Sequence, residues 1–289
     1  MNRIKENRFL SFLIVFAVYI ISGLVGIAVY RAVDLSWQIA LLIADAVATA
    51  VVFVFSIIFS NASVYDPYWS VQPPFIIAAF MIGKGRVTLF TLLVFFAVLF
   101  WAVRLTANWA YTFSSLTHQD WRYTMLCENT GRLYPIVNFI GIHMVPTLVV
   151  YTCVLPAVYA VKEDFDVSFA GVLFLCLSFS AAVMQGVADI QMHKYRKRRI
   201  GQFIRNGLWK YSRHPNYLGE ILMWWGIALS VFSQNTEAWH LLLGAVLNTI
   251  LFLFVSIPLA EKRQSRKEGY IEYKKQTRIL LPIKKFAKT

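Results

Sequence analysis

Residues 9–30 read FLSFLIVFAVYIISGLVGIAVY and contain no Asp, Glu, Lys or Arg. A helix needs about 20 apolar residues to cross the hydrocarbon core of a bilayer, so this stretch is long enough to span a membrane. The basic residues before it are typical of a secretory signal peptide, but the apolar stretch is too long and no small-residue cleavage site follows before Arg31. We therefore expect an uncleaved membrane helix.

The same pattern recurs along the chain. A stretch at 35–65 is interrupted only by Asp45, and a shorter apolar stretch at 71–83 carries Pro73 and Pro74 near its start. Together these stretches predict an all-α protein, a polytopic membrane helix bundle of about seven (six to eight) transmembrane helices. The other stretches without charged residues are 87–103, 133–161, 167–188, 221–236 and 238–260.

The composition excludes an ordinary soluble domain. Charged residues make up 15% of the chain, against about a quarter in soluble domains, yet the formal net charge is +13. Eighteen of the 28 Lys and Arg residues lie in two segments, 194–213 and 261–289. Basic segments that flank membrane spans face the cytoplasm, so we expect both segments there. Residues 162–166, with three acids and one base, fit the opposite side.

The side of the N-terminus stays open. If it is cytoplasmic, an even number of spans must precede Arg196, and residues 71–83 must then cross the membrane. Otherwise the N-terminus lies outside, or the short proline-headed segment is re-entrant with its backbone buried in protein.

A polar cluster precedes the apolar stretch at 221–236. Residues 213–220 read RHPNYLGE, and MWW follows at 223–225. Proline suits the first helical position, so a helix should begin near Pro215, with backbone N–H groups that favour an anion. Glu220 then falls on the same side of the first turns as Asn216 and Tyr217. An acid at the rim of a membrane span favours a functional role over a structural salt bridge.

A second polar face ends the preceding apolar stretch. Gln185, Asp189, His193 and Arg196 follow one another at spacings of four, four and three residues. They therefore share one helical face, which should meet the same cytoplasmic edge as Glu220.

A third patch contains the sequence DPYWS at 66–70 and the loop sequence DWRY at 120–123. Arg104 and Asp45 lie within apolar stretches, where charged side chains face the protein interior and pair. A structural pair of Arg104 with Asp66 or Asp45 and a role for Arg104 in substrate binding are both open. The three cysteines have no paired spacing, so no metal site is expected, and no glycine-rich nucleotide loop is present.

These motifs resemble the steroid 5-alpha-reductase family, and its uncharacterised bacterial branch most closely. The specific part of the resemblance covers about residues 133–283. The segments that carry it are 66–69, 120–123, 189–196, 213–225 and 269–282.

The resemblance implies a single membrane domain over residues 1–289, located in the bacterial inner membrane. It also implies an enzyme that binds NADPH from the cytoplasmic side. Such a reductase acts on a CH–CH group, like a 3-oxo-5-alpha-steroid 4-dehydrogenase, and reduces an activated C=C bond of a steroid- or isoprenoid-like enone. Residues 133–289 would hold the cofactor and residues 1–132 would form the substrate side. The matched cofactor positions are Asp189, Arg196, Arg213, His214, Asn216, Tyr217, Glu220 and Tyr273.

The substrate side departs from the family. In the steroid enzymes a Glu–Tyr pair holds the substrate ketone, but here Trp101 stands where the tyrosine is expected, which argues against steroid substrates. We expect Trp101 and Arg104 to contact the substrate. Tyr68, or a water held by Asp66, would polarise the substrate carbonyl as charge develops on its oxygen, and Glu220 would fix the nicotinamide end of the cofactor.

Two alternatives remain. The pattern RHPxYxG at 213–219, with Glu261, Tyr270 and Tyr273, also resembles isoprenylcysteine carboxyl methyltransferases, which use S-adenosylmethionine. Those enzymes typically lack an acid at the position of Glu220, so the reductase is preferred. The second alternative is a non-enzymatic membrane protein whose basic segments bind anionic lipid or a partner. Membrane lipids and a lipid-like small molecule are the expected partners, nucleic acid is not, and the oligomeric state is open.

Overall fold

The structure is a computed structural model that describes residues 5–198 and 201–281. Helices make up 82% of it, and the described residues contain no β-strand beyond an isolated parallel bridge between Ser212 and Arg278. The α-helices are α1 Arg8–Ala32, α2 Trp37–Phe59, α3 Tyr68–Lys84, α4 Leu89–Thr112, α5 Trp121–Thr130, α6 Tyr134–Val137, α7 Val145–Glu163, α8 Phe169–Arg198, α9 Pro215–Phe232, α10 Leu243–Leu251, α11 Ile257–Gln264 and α12 Tyr270–Gln276.

Six helical stretches are long and apolar enough to cross a membrane. The prediction of an all-α polytopic helix bundle is confirmed, and six spans fall within the predicted range of six to eight. The protein is therefore an integral membrane protein. The six stretches are Arg8–Ala32, Trp37–Phe59, Leu89–Thr112, Trp121–Glu163, Phe169–Arg198 and Thr236–Gln264.

Two of the predicted spans are shorter helices outside this set of six. α9 has 18 residues and begins at Pro215, so its first turns include the polar residues of the RHPNYLGE segment rather than only the apolar stretch. α3 has 17 residues and continues through Pro73 and Pro74. Each of these prolines removes a backbone N–H donor from the helix. The helix nevertheless continues past both prolines. With 17 residues, it is short for a membrane span.

The chain forms two compact units. Unit 1 consists of Met1–Ile76 and Leu105–Leu155, and unit 2 consists of Ile77–Arg104 and Pro156–Thr289. Both units combine residues from 1–132 with residues from 133–289, the two parts distinguished in the sequence.

In unit 1, α1 packs against α2 through small and polar side chains. The buried Ser22 hydroxyl donates to the carbonyl of Ala48 at 2.8 Å, and a Cβ on Gly26 would lie 3.4 Å from the Ala48 methyl group. Small residues at such contacts let membrane helices approach closely. The interior of this unit is otherwise apolar and aromatic, with Val52 and Val64 completely buried.

In unit 2, α8 and α9 lie in close contact along their length. A Cβ on Gly219 would lie 2.7 Å from the carbonyl oxygen of Ala181, and a Cβ on Gly226 would lie 2.7 Å from that of Phe174. Both distances are too short for any larger residue, so these glycines set the separation of the two helices. The contact brings the polar face at the end of α8 against the first turns of α9.

Candidate functional site

The polar side chains of unit 2 that the sequence singled out converge from α4, α8 and α9. Glu220 on α9 is 4% exposed and is the centre of this group. Its Oε2 atom accepts hydrogen bonds from Trp101 Nε1 at 2.8 Å and from Gln185 Nε2 at 2.6 Å. Its Oε1 atom accepts from Trp224 Nε1 at 3.0 Å. Indole and amide N–H groups act here only as donors, so the arrangement fits an ionised carboxylate.

Arg104 joins the acids of α8 and α9. Its Nη1 atom lies 2.8 Å from Asp189 Oδ2, and its Nη2 atom donates to Gln185 Oε1 at 2.6 Å and lies 4.0 Å from Glu220 Oε2. Asn216 adds a longer contact, from Nδ2 to Asp189 Oδ1 at 3.4 Å. The guanidinium is thus shared by two buried acids, which offsets the cost of removing those charges from water.

The structure therefore brings together Trp101, Arg104, Asp189, Asn216 and Glu220, which the sequence placed in three separate motifs. It also settles the partners of Arg104: the guanidinium pairs with Asp189, while neither Asp45 nor Asp66 is its partner. We call this set, together with Gln185 and Trp224, the Glu220 network.

Sequence reasoning gave no role to two members of the network. Trp224 lies four residues after Glu220, so the helical spacing alone brings the two side chains together. The helical spacing placed Gln185 on the same helix face as Asp189. Its amide group also bridges two residues, because Nε2 donates to Glu220 and Oε1 accepts from Arg104. Only the partner helices reveal that role.

Arg213 and His214 belong to a different cluster, built around Glu261. Arg213 Nε lies 2.8 Å from Glu261 Oε1, and His214 Nε2 lies 3.0 Å from the same oxygen. The Tyr270 hydroxyl donates to it at 2.8 Å, and Lys274 Nζ lies 3.0 Å from Oε2. Burial, and then the hydrogen bond to Glu261, raise the pKa of Tyr270 well above its ordinary value. We call this set the Glu261 cluster.

The Glu261 cluster ties the start of α9 to the C-terminal segment. The Arg213 guanidinium, whose side chain is 2% exposed, also donates to the carbonyls of Lys274 and Thr277. The backbone N–H groups of Arg213 and His214 donate to the carbonyls of Arg278 and Ile279 at 3.0 and 3.2 Å. The guanidinium of Arg213 is therefore bonded to protein groups of the C-terminal segment.

The remaining predicted cofactor residues lie near this cluster or at the end of α8. The Tyr217 ring stacks on the His214 ring, with centroids 5.3 Å apart. The Tyr273 hydroxyl donates to the carbonyl of Trp209, and burial raises its pKa. Arg196 is exposed in the last turn of α8.

A cleft of about 630 Å³ opens beside the end of α8. Among the described residues, its lining contains three cations and no acid. We call this cavity the basic cleft. Its lining residues are Gln191, Lys194, Tyr195, Arg198, Ile204, Arg205, Asn206 and Gly207.

Gly207 fixes one wall of the basic cleft. Its φ is +61°, and a Cβ there would lie 2.4 Å from Gln191 Oε1. That oxygen instead accepts the backbone N–H of Leu208 at 2.9 Å. The backbone conformation at position 207 therefore favours glycine, and a larger residue would also displace the end of the Gln191 side chain.

Further basic side chains of unit 2 lie near one another. The pKa of Lys267 is lowered by burial and, after that, by the positive charges of Arg196 and Arg263. Arg199, Pro282 and the last three lysines, which the sequence assigned to the same basic segments, lie outside the described residues.

In unit 1, Asp66 and Tyr68 have different partners although two residues separate them. Asp66 Oδ1 accepts the Tyr123 hydroxyl at 2.5 Å, which joins the motifs at 66–70 and 120–123. Burial raises the pKa of Asp66 to about 6, against the opposing effect of the nearby Arg122 charge. The Tyr68 hydroxyl instead accepts from Ser22 Oγ at 3.4 Å.

Comparison with known proteins gives one match. No curated protein and no solved structure matches the chain. The family described as "Protein of unknown function (DUF1295)" matches residues 52–277, a range that includes the Glu220 network, the Glu261 cluster and the basic cleft. The match covers well over half of the chain, and the protein therefore belongs to the DUF1295 family.

Proposed function

We propose that this protein is a membrane-embedded reductase that uses NADPH to reduce an activated C=C bond of a lipid-like enone. The family is associated with steroid 5-alpha-reductase-like proteins, in agreement with the motifs of the sequence. The observation that carries the proposal is the basic cleft, where three cations face a cavity with no acid in its lining.

The described residues fit a dinucleotide with several phosphates. A volume of about 630 Å³ lies within the range of about 300–1,000 Å³ that is usual for small-ligand sites. Lys194, Arg198 and Arg205 would bind the phosphates, since charge-assisted hydrogen bonds are the strong ones. Arg213 does not take this role in the proposal, because the Glu261 cluster already uses its guanidinium.

The Glu220 network would orient the reactive end of the cofactor. Asp189 and Asn216 form its more accessible part, and the side chain of Asp189 is 14% exposed. We assign the contact with the cofactor carboxamide to these two residues. Glu220 is then a positioning residue, since its hydrogen bonds hold Trp101, Gln185 and Trp224 in place. Bound NADPH would supply the hydride, and the apolar helices would exclude water from the reacting atoms.

The charge of the cleft argues against S-adenosylmethionine. That cofactor carries a sulfonium cation and no phosphate, so a cleft lined by three uncompensated cations would repel it. The residues that resemble the methyltransferases, Arg213, His214 and Glu261, bond mainly to one another here.

The test is NADPH binding by the purified protein in detergent, with the charge of the cleft varied. Arg205→Gln should weaken NADPH binding about tenfold, because it removes a charge-assisted hydrogen bond of about 1.5–3 kcal/mol. Lys275→Gln is the matched control, since this cation is 71% exposed and pairs with Glu272. Equal affinities of the two variants and the wild type would contradict the assignment.

A further inference from the structure

Unit 1 contains a buried polar pair that the proposed cofactor site does not use. Asp45 lies within the α2 span and is 4% exposed, and Gln72 on α3 is 6% exposed. The Gln72 amide donates from Nε2 to Asp45 Oδ1. The other oxygen of each side chain, Asp45 Oδ2 and Gln72 Oε1, is buried and has no hydrogen-bond partner among the described residues.

Both of these oxygens are acceptors if Asp45 is ionised, so nothing between the two side chains satisfies them. Leaving a buried polar atom without a partner costs about 1–3 kcal/mol, and more if the atom is charged. A hydrogen atom on Asp45 Oδ2 would convert this oxygen from an acceptor into a donor. A carboxylic acid is one donor and one acceptor, which is the complement of a primary amide.

The surroundings of the pair also favour the neutral acid. The ionisable groups that face Asp45 are the hydroxyls of Tyr65, Tyr68 and Tyr151. Among the described residues, none of the ion pairs involves Asp45, and Gln72 is its one side-chain hydrogen-bond partner. A charged carboxylate inside a membrane protein normally pairs with a cation, so an unpaired one would be expensive.

A row of hydroxyl groups lies in the same unit. Thr49 follows Asp45 by one helical turn, on the same face of α2. Its Oγ1 atom lies 3.1 Å from Thr147 Oγ1, which lies 2.8 Å from the hydroxyl of Tyr65. A hydroxyl both donates and accepts, so a row of hydroxyls can pass a proton along by rotation.

We propose that Asp45 and Gln72 form a proton-holding site inside the membrane, in which Asp45 is a neutral carboxylic acid. The proposal rests on the burial of both side chains and on their two oxygens without a hydrogen-bond partner among the described residues. It does not depend on the proposed function.

The measurement is the infrared spectrum of the full chain at about pH 6, with the spectrum of Asp45→Asn subtracted so that the signals of the other acids cancel. We expect a remaining carbonyl band of a protonated carboxylic acid, shifted in heavy water. Asp34→Asn, which changes an exposed acid before α2, should keep the band. A difference spectrum without this band overturns the proposal.

The variant Asp45→Asn should fold, because an asparagine amide copies the donor and acceptor of the neutral acid. Its melting temperature should stay within a few degrees of the wild-type value, whereas Asp45→Ala should melt well below it. A sodium-dependent rise in melting temperature that is lost in Asp45→Asn would identify a bound cation and overturn the proton site.

Discussion

Trp101 on α4 donates its indole N–H to Glu220 Oε2 on α9 at 2.8 Å, across 119 residues of sequence. The two indole rings beside the carboxylate, of Trp101 and Trp224, meet edge to face with centroids 4.9 Å apart. Trp101 is the residue that stands where the resemblance to the steroid 5-alpha-reductase family predicts a tyrosine. In this protein it holds the acid of the Glu220 network.

Replacing Glu220 should loosen the network. In Glu220→Gln the new amide N–H faces an existing donor, so one buried donor loses its acceptor, at a cost of about 1–3 kcal/mol. We expect a lower melting temperature in detergent and weaker NADPH binding. Glu237→Gln, at an exposed position, is the control. A Glu220→Gln protein as stable as the control would show that the carboxylate charge does not organise the site.

The close contact of α8 and α9 should not tolerate a methyl group. In Gly219→Ala the new Cβ would lie 2.7 Å from the backbone oxygen of Ala181, so the helices must separate. Overpacking of this kind costs about 1–3 kcal/mol. Gly83→Ala is a matched control, because no atom lies within 4 Å of its Cβ position. Thermal unfolding of both variants in the same detergent measures the difference, and equal melting temperatures would contradict the described packing.

The Glu261 cluster should contribute to stability more than to cofactor affinity. In Glu261→Gln the buried Arg213 loses its counter-charge, and breaking a buried ion pair costs about 3–5 kcal/mol. Glu268→Gln, an exposed acid seven residues later, should have little effect. Chemical or thermal unfolding gives the stability, and NADPH affinity of the folded fraction should stay close to the wild-type value. A large loss of affinity with unchanged stability would place the cluster in the cofactor site instead.

The pH dependence of stability should carry a contribution from Asp66. Its pKa is raised by burial from 3.8 to about 6, so the folded state binds the proton more tightly than the unfolded state. That contribution is fully present below a pH of about 4 and is lost as the pH rises through about 6. Asp66→Asn should remove this part of the profile, while the exposed Glu128→Gln should not. Melting temperatures measured between about pH 4 and pH 8 test it; a profile of Asp66→Asn that follows the wild type would contradict the shifted pKa.

The positions of most helices could be predicted from the sequence, because runs of apolar residues determine where a chain can cross a membrane. The common face of Gln185 and Asp189 was also readable, since helical spacing fixes it. The RHPNYLGE segment likewise predicted a helix starting near Pro215, which is where α9 begins.

The partners of the polar residues could not be predicted from the sequence. Arg104 had Asp45 and Asp66 as candidate partners, whereas the packing of α4 against α8 gives it Asp189. The sequence placed Arg213 among the cofactor positions, but the C-terminal segment supplies Glu261 and two carbonyls to it. Such choices depend on how distant helices pack, which local patterns do not determine.

We propose that this membrane protein binds a polyanionic nicotinamide cofactor at the basic cleft. The most direct measurement is an equilibrium titration of the purified wild-type protein with NADPH and, in parallel, with S-adenosylmethionine. We expect saturable NADPH binding that weakens with increasing salt, because three cations line the cleft, and no binding of S-adenosylmethionine. Saturable binding of S-adenosylmethionine without binding of NADPH would contradict it.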